Sequence, residues 1–247
     1  MIFSKSTTYR IIGRPIQKQQ IRRIVRKKCA FTLSEESKVE EWKSAGKALA
    51  YLQKIDKIPH RTEGERVLVA QIPQAARRIL DLGTGSGRLL DLVKTERPDV
   101  EGVAVDFSET MLEIARKHFA NDQRVKVIYH DLNDSLSDLG QFDAVISSFA
   151  IHHLSHERKK EIYKEIFGLL NPTGMFCNLD HVASPTEALH LQFLTQMGQT
   201  TATEDQSNKL LDVGTQLRWL REIGYVEVDC HWKWLEFALL AGSRPRR

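Results

Sequence analysis

The chain of 247 residues lacks any long hydrophobic run, and its longest apolar stretches, such as 237–241, are only a few residues long. A helix that crosses a bilayer needs roughly 18 consecutive apolar residues. Cysteine is also scarce, because the chain has only three, with no C-x-x-C pair among them. That pattern excludes a disulfide framework and a cysteine-based zinc site. We therefore expect a soluble protein of a reducing compartment, with no bound metal.

Acidic residues are missing from the first 34 positions, which carry nine Lys and Arg. Because the whole chain has a net charge of +4 and this arm carries +9, residues 35–247 carry −5. Three explanations fit such an arm: an organellar transit peptide, an RNA-contacting tail, or a solvated leader upstream of the fold. The expected location is cytoplasmic, or organellar if residues 1–34 are a transit peptide.

Short apolar runs alternate with helical patterns from residue 78 onward, after a predicted helical lead-in over 35–77. Strands are predicted at 78–82, 100–105, 125–129, 142–148 and 175–179, and helices at 88–95, 108–119 and 155–170. This alternation predicts an α/β domain over 35–247, with a parallel sheet covered on both faces. A polar, partly helical insertion over 183–211 is predicted to form a substrate loop.

The last two strand-like runs, 226–230 and 234–241, are separated by only about three residues around 231–233. A parallel crossover needs a dozen residues or more. The sequence therefore predicts an antiparallel hairpin at the C-terminal end of the sheet.

A glycine turn, Gly83-Thr84-Gly85-Ser86-Gly87, follows the first predicted strand and opens a helix. Glycine is required where a side chain would keep the backbone from approaching a ligand. A dinucleotide-binding fingerprint would place its third glycine at the position that Arg88 occupies. The spacing therefore disfavours a NAD-dependent oxidoreductase, which is the competing interpretation of this kind of fold.

Acidic residues end the first three strands: Asp81, Asp106 and Asp131. In doubly wound sheets, a carboxylate at the end of the second strand accepts hydrogen bonds from a ribose, which predicts that role for Asp106. Asp81 suits a ligand that carries an ammonium and a sulfonium, and Asp131 could accept from an adenine amino group. The full predicted cofactor-binding set is Asp81, Gly83, Thr84, Gly85, Gly87, Asp106, Phe107, Met111, Asp131, Leu132 and Ser148.

Together with 142–148, these segments resemble the ordered motifs of class I S-adenosylmethionine (SAM)-dependent methyltransferases, over roughly residues 60–241. Segments 58–65, 148–154, 181–185 and 229–234 are similar to a subgroup near the ubiquinone/menaquinone and carboxymethoxyuridine tRNA methyltransferases. The resemblance implies a Rossmann-like fold with a seven-stranded, mostly parallel sheet, and it implies SAM as the cofactor. Ser86 departs from the family pattern, because many relatives carry an acid or alanine there, which puts one contact in doubt.

Methyl transfer from a sulfonium is an in-line displacement with a neutral leaving group, so positioning of the nucleophile supplies much of the rate. A general base is needed only where the acceptor must lose a proton. The candidate catalytic residues are His152, His181 and Asp180. The candidate substrate-contacting residues are His60, Arg61 and His153. Each has an ordinary structural explanation as well; for Arg61 it is an ion pair with Glu63 or Glu65.

The sequence thus predicts an enzyme that transfers a methyl group from SAM to a small-molecule acceptor. The basic arm favours one alternative, a methyltransferase that modifies tRNA. A second alternative is a methyltransferase-like fold that serves as a binding factor without catalysis. A fold alone does not decide among these functions.

Overall fold

A computed structural model describes residues 57–246 of the chain and, in isolation, Gly46. The predictions for the basic arm at 1–34 and for most of the lead-in before residue 57 lie outside these described residues. Everything that follows concerns the described part of the chain.

Seven strands form one sheet in the order β3-β2-β1-β4-β5-β7-β6. The strands are β1 (Arg78–Leu82), β2 (Glu101–Asp106), β3 (Val125–Tyr129), β4 (Phe142–Ser148), β5 (Leu170–His181), β6 (Val226–Trp234) and β7 (Phe237–Ser243). The first five are parallel, whereas β7 runs antiparallel to both β5 and β6. The predicted fold class, with its antiparallel C-terminal hairpin, is confirmed. Strand order reverses between β1 and β4, and ligands of such sheets bind outside the carboxyl ends at this point.

Six helices within residues 57–246 accompany the sheet: α1 (Arg61–Gln71), α2 (Arg88–Glu96), α3 (Glu109–His118), α4 (His156–Leu169), α5 (Glu187–Gln196) and α6 (Val213–Ile223). Short 3₁₀ turns occupy Ser137–Leu139 and Ile151–His153. Local sequence explains several helix ends. Ser155 and Asp212 each accept a hydrogen bond from a backbone N–H in the first turn of α4 and α6, and Gly224 ends α6 with a positive φ of 117°.

Both faces of the sheet are covered, because alternate residues of each strand point to opposite sides. On one face, Ile79 and Ile146 pack with Leu68 of α1 and Val93 of α2. On the other face, the core includes Leu80, Val145, Phe176, Ile162 of α4 and Leu220 of α6. The carboxyl ends of the parallel strands therefore sit on a rigid, two-sided core.

Two boundary predictions were wrong. The hairpin turn lies at residues 235–236 and not at 231–233, because Trp232 and Trp234 continue the ladder opposite Leu239 and Phe237. His231 and Lys233, which alternate with the tryptophans, are exposed on this edge strand, and their polarity made the segment look like a loop.

Strand β5 also begins earlier than predicted, at Leu170. Residues 171–174, which separate the predicted helix 155–170 from the predicted strand 175–179, form a bulge between the pairs Phe142–Leu170 and Ala144–Met175, with Thr173 at a φ of 66°.

No helix in the described part of the chain has the length and apolar character needed to cross a membrane.

Candidate cofactor and acceptor site

The glycine turn leaves β1 and enters α2 with three glycines at positive φ. A β-carbon at Gly83 would lie 2.2 Å from the β-carbon of Ala150, and one at Gly87 would lie 2.5 Å from the ring of Phe119. A β-carbon at Gly85 would meet no described atom within 4 Å. Gly83 and Gly87 are therefore needed for packing inside the protein, while Gly85 faces open space where a ligand can approach the backbone.

Asp81 lies at the end of β1 with 1% of its surface exposed, and its Oδ2 accepts a 2.6 Å hydrogen bond from the Thr84 hydroxyl. Burial raises the pKa of Asp81 to about 7, and the nearby charges of Asp106 and Glu65 act in the same direction. A carboxylate in this position gains stability when a cationic group arrives.

Asp106 ends β2 and is held by two backbone amides. Its Oδ2 accepts from the N–H of Gly85 at 2.9 Å, and its Oδ1 accepts from the N–H of Ser108 at 2.8 Å. Burial raises the pKa of this carboxyl group, and the two amide bonds oppose that rise. Because each carboxylate oxygen has two lone pairs, both can still accept from a ligand hydroxyl.

The ends of β2 and β3 supply the remaining predicted cofactor residues. Met111 and Leu132 are buried, Phe107 is half-buried, and Asp131 accepts hydrogen bonds from Asn133. Two buried polar atoms here, the Ser108 hydroxyl and the Nε2 of His130, have no hydrogen-bond partner within the described residues. Buried polar groups in native proteins are paired, so these two suit a polar ligand.

A buried ionic cluster lies beneath the glycine turn. Glu65 of α1 is fully buried, and it accepts from Arg61 at 2.7 Å and from Arg88 at 3.0 Å. The Ser148 hydroxyl donates to the same carboxylate at 3.3 Å. The intrahelical pair of Arg61 with Glu65, the structural alternative for Arg61, is thus present. The cluster joins α1, α2 and the end of β4. Sequence inspection named Glu65 only as a possible ion-pair partner of Arg61, and it assigned no role to Arg88.

The residues predicted for the acceptor side lie at the ends of β4 and β5. Nδ1 of His152 lies 2.5 Å from Oδ1 of Asp180, and both side chains are buried. Burial alone would raise the pKa of Asp180, but His152 and the nearby Lys159 shift the pKa below its usual value. Since an ionised carboxylate only accepts, Nδ1 of His152 donates this bond.

The other two predicted histidines of this side are bonded to the insertion and the hairpin. His153 contacts the Ser207 hydroxyl at 3.0 Å, and burial, together with the charge of His152, lowers the pKa of His153 to about 3. His181 lies 2.8 Å from Glu236. No group of three or more ligands within the described residues is arranged to hold a metal ion.

His60 stands at the start of α1, where its ring stacks on Trp234 at 4.6 Å and its Nδ1 lies 3.0 Å from Glu63. The structure thus joins His60 to the C-terminal hairpin.

Sequence inspection also missed Lys159, which is 1% exposed and donates to the carbonyls of His152, Leu154 and Lys209. Lysine is seldom buried, and the local pattern of α4 gave no sign that this one is. The side chain fastens the insertion to the loop that carries His152.

Residues 79–174 match a protein family described as a methyltransferase domain. The chain is 29% identical over 175 residues to a demethylmenaquinone methyltransferase of Clavibacter sepedonicus. The aligned region covers 65% of this chain and 70% of the relative. A carboxy-S-adenosyl-L-methionine synthase of Nautilia profundicola is 21% identical, with coverage of 65% and 74%. The domain match and these relatives support a class I SAM-dependent methyltransferase.

Solved structures of methyltransferases share this fold. Human N-acetylserotonin methyltransferase in complex with SAM superposes with a TM-score of 0.64 at 17% identity, and 87% of this chain covers 60% of that one. An O-methyltransferase family protein of Burkholderia thailandensis gives 0.63 at 22% identity, with 76% of this chain covering 56% of that one. This methyltransferase therefore spans less than two thirds of the length of either protein.

SAM is the cofactor of this family, and the residues present fit it. The backbone at Gly85 is open, the Ser108 and His130 side chains offer unpaired polar atoms, and the carboxylates of Asp81 and Asp106 lie at adjoining strand ends. The positively charged amino-acid end of SAM matches the carboxylate of Asp81, and the ribose hydroxyls of SAM match the carboxylate of Asp106.

Proposed function

We propose that this enzyme methylates a small organic acceptor whose reacting group loses a proton, such as a hydroxyl or an acidic carbon. The buried pair of His152 and Asp180 carries this proposal, because a base with a fixed tautomer is useful only when a proton must be removed. Relatives and structural neighbours named for quinone and serotonin-derived substrates support a small acceptor.

In this proposal each part of SAM is contacted by a different group of the predicted cofactor residues. Asp81 and Thr84 face its charged amino-acid end, Asp106 accepts from the ribose, and Asp131 accepts from the adenine amino group. Phe107, Met111 and Leu132 provide apolar surface for the adenine ring. When bound, SAM supplies a methyl group on a sulfonium with a neutral leaving group.

His152 has the role of the base. Its Nε2 accepts the proton of the acceptor while Asp180, bonded to Nδ1, stabilises the imidazolium that forms. General-base catalysis of this kind contributes a factor of about 10²–10⁴ to a rate. Three further histidines would contact the acceptor: His181 from the end of β5, His153 from the loop after β4, and His60 from the start of α1. Arg61 would stabilise the side of the site between them through its ion pair with Glu65.

The test is transfer of labelled methyl from SAM to a panel of phenols, hydroxy acids and β-dicarbonyl compounds, followed by the variant His152→Gln on any acceptor found. We expect kcat to fall about 100-fold or more while the affinity for SAM stays unchanged, because the base does not contact the cofactor. Unchanged kcat in this variant would overturn the assignment of the base.

The same assay separates the alternatives. A tRNA-modifying enzyme would label bulk tRNA. Its affinity for tRNA would depend on salt, and removal of the basic residues 1–34 would weaken it. A non-catalytic binding factor would bind SAM without transferring its methyl group to any acceptor in the panel or to tRNA.

A further inference from the structure

Glu236 lies in the turn between β6 and β7 with none of its surface exposed. Its carboxylate bridges two histidines from different parts of the chain. Oε2 lies 2.8 Å from Nε2 of His181, at the end of β5, and Oε1 lies 2.9 Å from Nδ1 of His190, on α5. A fully buried carboxylate is costly unless it is paired, so this bridge is a specific part of the fold.

The bridge determines which nitrogen of His181 carries a hydrogen. Burial lowers the pKa of His181, although Glu236 opposes this, so the ring is neutral near pH 7. A neutral imidazole has one N–H, and the carboxylate of Glu236 only accepts. Nε2 therefore carries the hydrogen, and the lone pair lies on Nδ1.

His152 shows the opposite arrangement, since its carboxylate partner, Asp180, binds Nδ1 and not Nε2. The rings of His152 and His181 lie 5.9 Å apart in an edge-to-face arrangement, and Asp180 also accepts from the backbone N–H of His181. Two histidine rings thus lie close together at the proposed acceptor side, and each is bonded through one nitrogen to its own buried carboxylate.

The second histidine of the bridge connects it to the insertion. The hydrogen bond with Glu236 raises the pKa of His190, and the charge of Glu204, 3.3 Å from Nε2 of His190, adds to that rise. His190 lies on α5, whose buried residues Phe193 and Leu194 pack in one cluster with Phe237, the residue after Glu236. The position of α5 and the tautomer of His181 therefore depend on one carboxylate.

We infer that Glu236 is a positioning residue of the acceptor site: it presents the Nδ1 lone pair of His181 to the acceptor and fastens helix α5 beside it through His190. This inference rests on the proposed function only for the location of the acceptor. The charged and titratable groups around the bridge are His181, Asp180 and His152 from the strand ends, and His190 and Glu204 from the insertion.

The experiment uses the full chain labelled with ¹⁵N-histidine, whose long-range spectra report the tautomer and titration of each ring. In the wild type we expect His181 as the Nε2–H tautomer at pH 7.5. The variant Glu236→Gln should give His181 a mixture of tautomers, and it should lower the titration midpoint of His190 by about one pH unit, because a charged acceptor is lost. Amide exchange across α5 should accelerate.

A second variant tests the inference independently, in case Glu236→Gln does not fold. His190→Gln changes a partly exposed residue, and it should loosen α5 while His181 stays in the Nε2–H form through its own bond to Glu236. Asp91→Asn serves as the matched control, because Asp91 pairs with His118 at 2.8 Å on the exposed surface of α2 and α3. This control should leave His181, His190 and α5 unchanged.

Unaltered His181 and His190 signals in folded Glu236→Gln would overturn the inference. Methyl-transfer assays of the same samples keep the two proposals apart. A wild type that shows the expected tautomers but transfers no methyl group would refute the proposed function and leave the bridge intact.

Discussion

The two halves of the proposed site, one for the cofactor and one for the acceptor, hold their charged groups in different ways. On the cofactor half, at the ends of β1 and β2, Asp106 is bonded by the backbone amides of nearby loop residues and Asp81 by the hydroxyl of Thr84. On the acceptor half, Asp180 and Glu236 are bonded by histidine side chains from distant segments. The cofactor half is thus a rigid template, whereas the acceptor half is an assembly of titratable side chains that can differ between enzymes with one cofactor.

The sharpest test of the rigid template compares two glycines of the same turn. In Gly83→Ala the new methyl group would overlap Ala150, and the positive φ adds strain, so we expect a loss of about 4 kcal/mol in unfolding free energy. Gly85→Ala has only the backbone strain and should cost about 1–2 kcal/mol. Thermal denaturation of both variants measures the difference.

Among the molecules that fold, Gly85→Ala should bind SAM more weakly than Gly83→Ala. The new methyl group of Gly85→Ala would occupy the open space at the turn. Equal destabilisation by the two alanines would contradict the division of roles within the turn.

The acceptor half is tested by Lys159→Met. This change leaves the carbonyls of His152, Leu154 and Lys209 without their shared donor. It also removes the cost of burying an ammonium group, so we expect a net loss of about 2 kcal/mol in unfolding free energy. Amide exchange of Lys209 should accelerate, since its N–H is bonded to the same His152 carbonyl.

The neighbouring Lys160→Met is the matched control, because Lys160 is partly exposed, where it pairs with Glu222 and lies 5.5 Å from the centre of the Trp219 ring. It should change stability by less than about 0.5 kcal/mol. Similar losses in the two variants would mean that the buried lysine does not fasten the insertion.

A smaller effect follows from the pKa of about 7 that burial gives Asp81. A cationic ligand favours the ionised carboxylate, so SAM should bind more weakly as the pH falls through 7. Between pH 8 and pH 6 we expect about a tenfold loss of affinity, measured by calorimetry. Asp81→Asn should bind weakly with a flat pH profile, and a sloping profile in this variant would assign the titration to another group.

The same contrast explains what sequence inspection could find. The glycine turn, Asp81 and Asp106 lie within short segments whose spacing predicts both the strand ends and the loop, and the fold class followed from the alternation of strands and helices. The pairing of His152 with Asp180 spans 28 positions, and that of His181 with Glu236 spans 55. Only the folded sheet brings such residues together.

The hairpin shows a second reason why sequence inspection fell short. Glu236 lies where the sequence seemed to continue a strand, because the polar residues of the exposed edge placed the turn too early. Its burial, like that of Lys159 and Glu65, depends on partners in other elements. A charged residue in a local pattern is normally solvent-exposed, so nothing in the surrounding sequence distinguishes these three.

Calorimetric titration with SAM, comparing the wild type with Asp106→Ala, tests most directly the claim that the ends of β1 and β2 form the cofactor template. We expect saturable binding by the wild type and a loss of affinity of about 100-fold in the variant, because hydrogen bonds to a buried carboxylate are among the strongest. The exposed change Asp91→Asn should bind like the wild type. Absence of binding by the wild type, or equal affinity in Asp106→Ala, would contradict the account.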